Sequence, residues 1–141
     1  MAKLARDSRQ ASEKIGVVVL GMHRSGTSAL TRVLSLLGCD LPKDLMPTAS
    51  SNEAGHWESV PIAHLNDAIL ESAGSNWHDW LAINPGWASS PKAGEFKEKA
   101  AAAIEEQFGS SRLFVLKDPR ICRITPFWID VLESGGIRPV V

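Results

Sequence analysis

The residues with the clearest capacity for chemistry form a run of eight, GMHRSGTS, from Gly21 to Ser28. Its two glycines let the backbone turn tightly and approach a ligand closely. Thr27 and Ser28 can donate hydroxyl hydrogen bonds, and Arg24 carries a permanent positive charge. Such groups bind an oxyanion, for example a phosphate, at the start of a helix. The residues predicted to bind the phosphate are His23, Arg24, Ser25, Gly26, Thr27 and Ser28.

The segments on either side of this run predict the elements that hold it in place. Ile15–Leu20 is a short and almost wholly apolar run, which is typical of a central strand in a parallel sheet. A helix is predicted directly after the loop, ending before Gly38. The apolar residues that recur with helical spacing along it are Leu30, Val33, Leu34 and Leu37. The loop is therefore expected to connect a buried strand to an amphipathic helix.

The loop departs from the nucleoside triphosphate motif at one informative position. Its glycines are spaced as in a Walker A loop, but Thr27 stands where that motif requires a lysine. The basic residue has instead moved to Arg24, before the second glycine. This arrangement resembles the sulfotransferase loop, which cradles the 5′-phosphosulfate end of 3′-phosphoadenosine 5′-phosphosulfate (PAPS).

Further motifs extend the resemblance over most of Ile15–Val141. Gly55–Glu58, the region around Trp77, and Leu116–Arg120 occur in the order seen in bacterial sulfotransferase-family proteins. Membership of that family implies a PAPS-dependent sulfotransferase that needs no metal and moves a sulfuryl group to a hydroxyl or amine acceptor.

The resemblance also implies three catalytic residues. Arg24 and Lys117 would stabilise the negative charge on the departing phosphate. Glu58 would act as the general base, since it follows Trp57 in a long loop that would partly remove its carboxylate from water. The alternative is that Glu58 is an ordinary exposed carboxylate and that Lys117 and Arg120 are strand-end charges paired with Asp118. His23 would either bind the phosphate or pack at the turn.

The rest of the chain alternates helices and strands after the long loop Cys39–Val60. The predicted elements are a helix over Pro61–Ala73, a helix from Ser90 to Gly109, a strand over Leu113–Leu116, a helix from Thr125 to Gly135, and a strand from Ile137. This order indicates an α/β fold of the P-loop type, with three layers and a parallel sheet, incomplete at the C-terminus. Residues 1–14 are predicted to be a flexible leader, and residues 15–141 the domain.

Composition and charge limit the binding partners and the cellular compartment that we expect for this protein. The 141 residues carry a net charge of −1, so no broad basic field is available for nucleic acid. Residues 1–14 lack the apolar core of a signal peptide, and no apolar run reaches membrane-spanning length. Cys39 and Cys122 are isolated and suit a reducing compartment as buried free thiols. We therefore expect a cytoplasmic protein without membrane insertion.

Two other functions are compatible with the same residues. A metal-dependent P-loop kinase or nucleotide hydrolase would hold magnesium with Thr27 or Ser28 and use Asp118 as its second acidic motif. A non-catalytic, truncated domain that binds an adenosine phosphate, or nothing, is the other alternative, because no residue is assigned to the 3′-phosphate of PAPS. Trp77, Trp80 and Trp87 either line an acceptor site or anchor their loops to the core.

Overall fold

The computed structural model describes residues 13–50 and 53–141. The elements, in chain order, are β1 (Lys14–Val19), α1 (Thr27–Leu36), α2 (Val60–Ser72), α3 (Pro91–Phe108), β2 (Leu113–Lys117), α4 (Thr125–Ser134) and β3 (Ile137–Val140). Short 3-10 helices cover Pro85–Ser89 and Pro119–Arg123. Each helix and strand predicted from the sequence is confirmed, with ends that differ by a residue or two.

β1 begins one residue earlier than predicted, at the last residue of the predicted leader. Lys14 is the first residue of β1, and its ammonium donates a hydrogen bond to the backbone oxygen of Gly109 at 2.6 Å. Glu13, just before it, forms an ion pair with Arg138 at 2.9 Å. The first strand therefore includes the polar residue Lys14, which lies before the apolar run. The rest of the predicted leader, residues 1–12, lies outside the described residues.

The three strands form a parallel sheet in the order β2-β1-β3. Val17 lies opposite Val115 on one side and Val140 on the other. β1 is the central strand, as its continuous apolar sequence predicted, and a parallel sheet with helical crossovers is an α/β architecture.

Helices cover both faces of the sheet. On one face, Leu34 of α1 packs with Val19, Cys39 and Val115. On the other face, residues of α2, α3 and α4 pack with Phe114 and Leu116 of β2. The largest fully buried side chain of that core belongs to Trp128 of α4. None of the helices in the described part of the chain is long and apolar enough to cross a membrane.

The loops after β1 and β2 lie at the same end of the sheet, because the two strands are parallel neighbours. The helix that follows β1 and the helix that follows β2 cover opposite faces. In open parallel sheets, ligands bind outside the carboxyl ends of the strands. The predicted phosphate-binding residues follow β1, and Lys117 is the last residue of β2, so they lie at this end.

Candidate functional site

The loop between β1 and α1 has a backbone that only a few residue types adopt readily. Gly26 has a φ of 87° and Arg24 a φ of 62°, both in the left-handed region. A non-glycine residue in that region carries strain, which is commonest at ligand-binding sites. Ser25 closes the turn by donating from its hydroxyl to the backbone oxygen of Met22 at 2.6 Å.

The start of α1 leaves donors available for an anion. No side chain caps its first turn, and no acidic residue lies within it. The uncapped N–H groups and the helix dipole therefore favour a negatively charged ligand at this point. Arg24 is exposed and forms no ion pair or side-chain hydrogen bond within residues 13–50 and 53–141. Its guanidinium is free to pair with such a ligand.

Lys117 and Glu58 form a buried ion pair beside the first turn of α1. The ammonium of Lys117 lies 2.5 Å from Oε1 of Glu58, and the two side chains are 3% and 7% exposed. The same ammonium donates to Oγ of Ser28 at 3.2 Å and to the backbone oxygen of His56 at 3.0 Å. Three residues predicted from distant parts of the sequence are thus in one cluster. The suggestion that Glu58 is an ordinary exposed carboxylate is wrong.

Backbone contacts fix Glu58 in this position. The N–H of Met46 donates to the backbone oxygen of Glu58 at 2.7 Å, and that of Val60 to the oxygen of Asp44 at 2.9 Å. Trp57, just before the glutamate, has a φ of 59°, and Arg32 of α1 stacks on its ring at 4.9 Å. These contacts fix the backbone of Glu58 and of the residues on either side of it.

Gln107 of α3 is a supporting residue that the sequence analysis missed. It is 3% exposed, and its Oε1 accepts from Ser59 Oγ at 3.1 Å and from the backbone N–H of Asp44 at 3.0 Å. Its Nε2 donates to the carboxylate of Asp44 at 2.8 Å. Gln107 could have been found from the sequence as a polar residue three positions after Ile104, on the apolar face of a predicted helix.

Replacing Gln107 is expected to loosen the segment that carries Glu58. In Gln107→Leu, the buried hydroxyl of Ser59 loses its partner, as do the N–H and carboxylate of the more exposed Asp44. This should lower the free energy of unfolding by about 1–3 kcal/mol. Chemical denaturation measures this change. The matched control is Glu106→Leu on the exposed side of the same helix, which should change stability by less than about 0.5 kcal/mol. Equal effects of the two substitutions would contradict the supporting role of Gln107.

Asp118 and Arg120 form a second charged group after β2. Arg120 contacts Oδ2 of Asp118 at 3.0 Å and Asp67 of α2 at 2.6 Å. The other oxygen of Asp118 accepts the backbone N–H of Arg120 at 2.8 Å. Burial raises the pKa of the Asp118 carboxyl. Arg120 is thus paired with Asp118, as the alternative interpretation held, whereas Lys117 pairs with Glu58 instead.

His23 lies where the loop between β1 and α1 meets the segment after α2. Its ring is 4.8 Å from that of Trp77, measured between centroids. Partial burial and then the positive charge of Arg120 lower the pKa of the imidazole. The nearby charges of Glu58 and Lys117 also act on it. His23 is exposed and its ring lies against that of Trp77.

The two cysteines differ in their surroundings. Cys39 is buried in the core beside α1, as predicted. Cys122 is half-buried, and its Sγ accepts the backbone N–H of Gly21 at 3.0 Å. This contact joins the end of β1 to the turn after β2. No group of three His, Cys, Asp or Glu residues within the described segments is arranged to hold a metal ion.

Comparison with known proteins identified no relative: no family model, no curated protein and no solved structure matches the chain.

Proposed function

We propose that the chain is a sulfotransferase-like domain that binds PAPS on Gly21–Ser28 and transfers its sulfuryl group to a hydroxyl or amine acceptor. The observation that carries the proposal is the contact of Lys117 with both Ser28 and Glu58. It brings a cation and a candidate base to the first turn of the helix that follows the loop. The resemblance of the loop and of the three later motifs supplies the identity of the co-substrate.

In this proposal the loop holds the phosphosulfate by its backbone N–H groups, by Arg24 and by the hydroxyls of Thr27 and Ser28. The acceptor oxygen or nitrogen attacks sulfur, and the bond from sulfur to the bridging oxygen breaks. The electron pair of that bond goes to the 5′-phosphate of the leaving adenosine 3′,5′-bisphosphate. Lys117 and Arg24 stabilise the negative charge that develops there, because preorganised cations are effective in a site that excludes water.

Glu58 accepts the proton that the acceptor loses during the attack. A carboxylate can do this when it lies within hydrogen-bond reach of the attacking group. Its ion pair with Lys117 places base and cation on the same side of the loop. In-line attack then depends mainly on positioning and on charge, and these are the contributions that the two buried side chains supply.

The kinase or hydrolase alternative relies on Asp118 as a magnesium ligand. Both carboxylate oxygens of Asp118 are engaged by Arg120, through its backbone N–H and its guanidinium. Such a carboxylate would have to give up these contacts before binding a cation. This favours the sulfotransferase proposal over the metal-dependent one.

Calorimetric titration with adenosine 3′,5′-bisphosphate, and separately with ATP and magnesium, tests the proposal. We expect the bisphosphate to bind more tightly, and Arg24→Ala to weaken it about 10- to 100-fold, because a hydrogen bond between charged groups contributes about 1.5–3 kcal/mol. The matched control is Arg112→Ala, which removes the same charge just before β2, at the opposite end of the sheet. It should leave the affinity unchanged.

Each other outcome has a defined meaning. Tighter binding of ATP with magnesium would replace the proposal by the kinase or hydrolase. Binding of neither nucleotide would support a non-catalytic domain. Equal losses in Arg24→Ala and Arg112→Ala would show that the bisphosphate binds through general charge, away from the proposed loop.

A further inference from the structure

The segment between α2 and the first 3-10 helix exposes large apolar side chains beside the candidate site. We call Ser75–Leu81 the aromatic turn. Trp80 is 88% exposed and Leu81 is 58% exposed, while Trp77 is 39% exposed. Trp87 behaves differently, since it is buried and its Nε1 donates to Ser72 at 2.9 Å. Trp87 therefore anchors its segment to the core, and the exposure of Trp80 requires another explanation.

The aromatic turn is ordered by one arginine. Arg123 donates to Ser75 Oγ at 2.8 Å and to the backbone oxygens of Asn76 at 2.6 Å and Leu81 at 2.5 Å. Asp79 closes the turn internally by accepting from Ser75 and from the N–H of Leu81. A ligand that binds here need not order the backbone first, which lowers the entropic cost of binding.

The turn also adjoins the charged cluster. Trp77 contacts the ring of His23, and His23 belongs to the loop Gly21–Ser28. Ser28 of the same loop accepts a hydrogen bond from Lys117 at 3.2 Å, and Lys117 pairs with Glu58. Arg123, which holds the turn, lies in the short helix that follows β2 and Lys117. The aromatic turn therefore borders the loop that contacts the proposed base through Lys117.

We propose that the aromatic turn binds the acceptor and that the acceptor is a saccharide; this rests on the function proposed above. An indole offers a broad, rigid apolar face to the flat C–H face of a sugar ring. Asn76 and His78 lie exposed in the same turn, and their side-chain nitrogen atoms can hydrogen-bond ring hydroxyls. A sugar hydroxyl is also an acceptor of the kind that Glu58 would deprotonate.

Exposure of Trp80 favours a saccharide over a small phenol. Small aromatic ligands bind in concave sites that bury most of their surface. An indole that is 88% exposed forms an open platform instead, which suits one ring of a longer chain. Adjacent sugar rings of that chain would remain in solvent or reach the proposed base.

Calorimetric titration with three uncharged hexasaccharides, cellohexaose, maltohexaose and chitohexaose, tests this inference, with p-nitrophenol as the aromatic probe. At least one hexasaccharide is expected to bind, and Trp80→Ala should weaken it 10-fold or more while Trp80→Phe retains most of the affinity. The matched control is Leu37→Ala, which truncates a side chain that is 76% exposed at the end of α1 and should have no effect.

The outcomes separate this inference from the function on which it rests. Binding of adenosine 3′,5′-bisphosphate without binding of any hexasaccharide overturns the acceptor assignment alone. Hexasaccharide binding that Trp80→Ala leaves unchanged, or binding of p-nitrophenol that Trp80→Ala abolishes, also overturns it. Saccharide binding without bisphosphate binding overturns the proposed function, and with it the role of the saccharide as acceptor.

Discussion

Lys117→Met is expected to abolish sulfuryl transfer and to lower the free energy of unfolding by about 3–5 kcal/mol. Methionine nearly preserves the volume of the lysine side chain, but it leaves the carboxylate of Glu58 buried without its cation. Breaking a buried ion pair by removing one partner is costly for that reason. Chemical denaturation gives the change in stability, and transfer from PAPS to the acceptor gives the change in rate.

Two further variants separate the role of Lys117 in stability from its role in catalysis. The double variant Lys117→Met/Glu58→Gln should regain most of the lost stability, since neither side chain of the pair is then charged, yet transfer more slowly than Glu58→Gln alone. Lys97→Met is the control, because it breaks an exposed ion pair with Asp130 at 2.7 Å and should cost no more than about 1 kcal/mol. A double variant that transferred as fast as Glu58→Gln alone would show that Lys117 acts only on stability.

Glu58→Gln is expected to slow transfer by about 10²- to 10⁴-fold, the usual contribution of a general base. Glutamine leaves the buried ammonium of Lys117 without its counter-charge, so the free energy of unfolding should also fall. The amide oxygen can still accept the hydrogen bond from Lys117, so the affinity for adenosine 3′,5′-bisphosphate should change little. Single-turnover transfer measures the rate, and calorimetry measures the affinity.

The control for this prediction is Glu53→Gln, which makes the same chemical change at an exposed position five residues earlier. It should leave the transfer rate unchanged. If Glu58→Gln transferred the sulfuryl group at the full rate at neutral pH, Glu58 would not be the base. If affinity for the bisphosphate fell together with the rate, Glu58 would instead act by positioning Lys117 at the loop.

The sequence by itself determined the features that depend only on residues close to one another along the chain. The apolar run Ile15–Leu20 gave the central strand, because a strand covered on both faces needs apolar residues at successive positions. Glycine, hydroxyl and arginine residues located the loop, because the left-handed backbone at Gly26 and the donors at the start of α1 are local properties. Ser90 and Pro91 likewise placed the start of α3, where the Ser90 side chain caps Ala93 at 3.2 Å.

Only the tertiary structure decided which polar residues meet. Lys117 and Glu58 are 59 positions apart, and Gln107 and Ser59 are 48 apart. Periodicity shows which face of an element is apolar, but it does not show which elements become neighbours. Packing of the helices against the sheet brought these partners together. The same packing buried Trp87, whereas Trp80 is exposed. Burial and pairing are properties of the packed chain, so the pairing of Lys117 with Glu58 rather than Asp118 depended on packing.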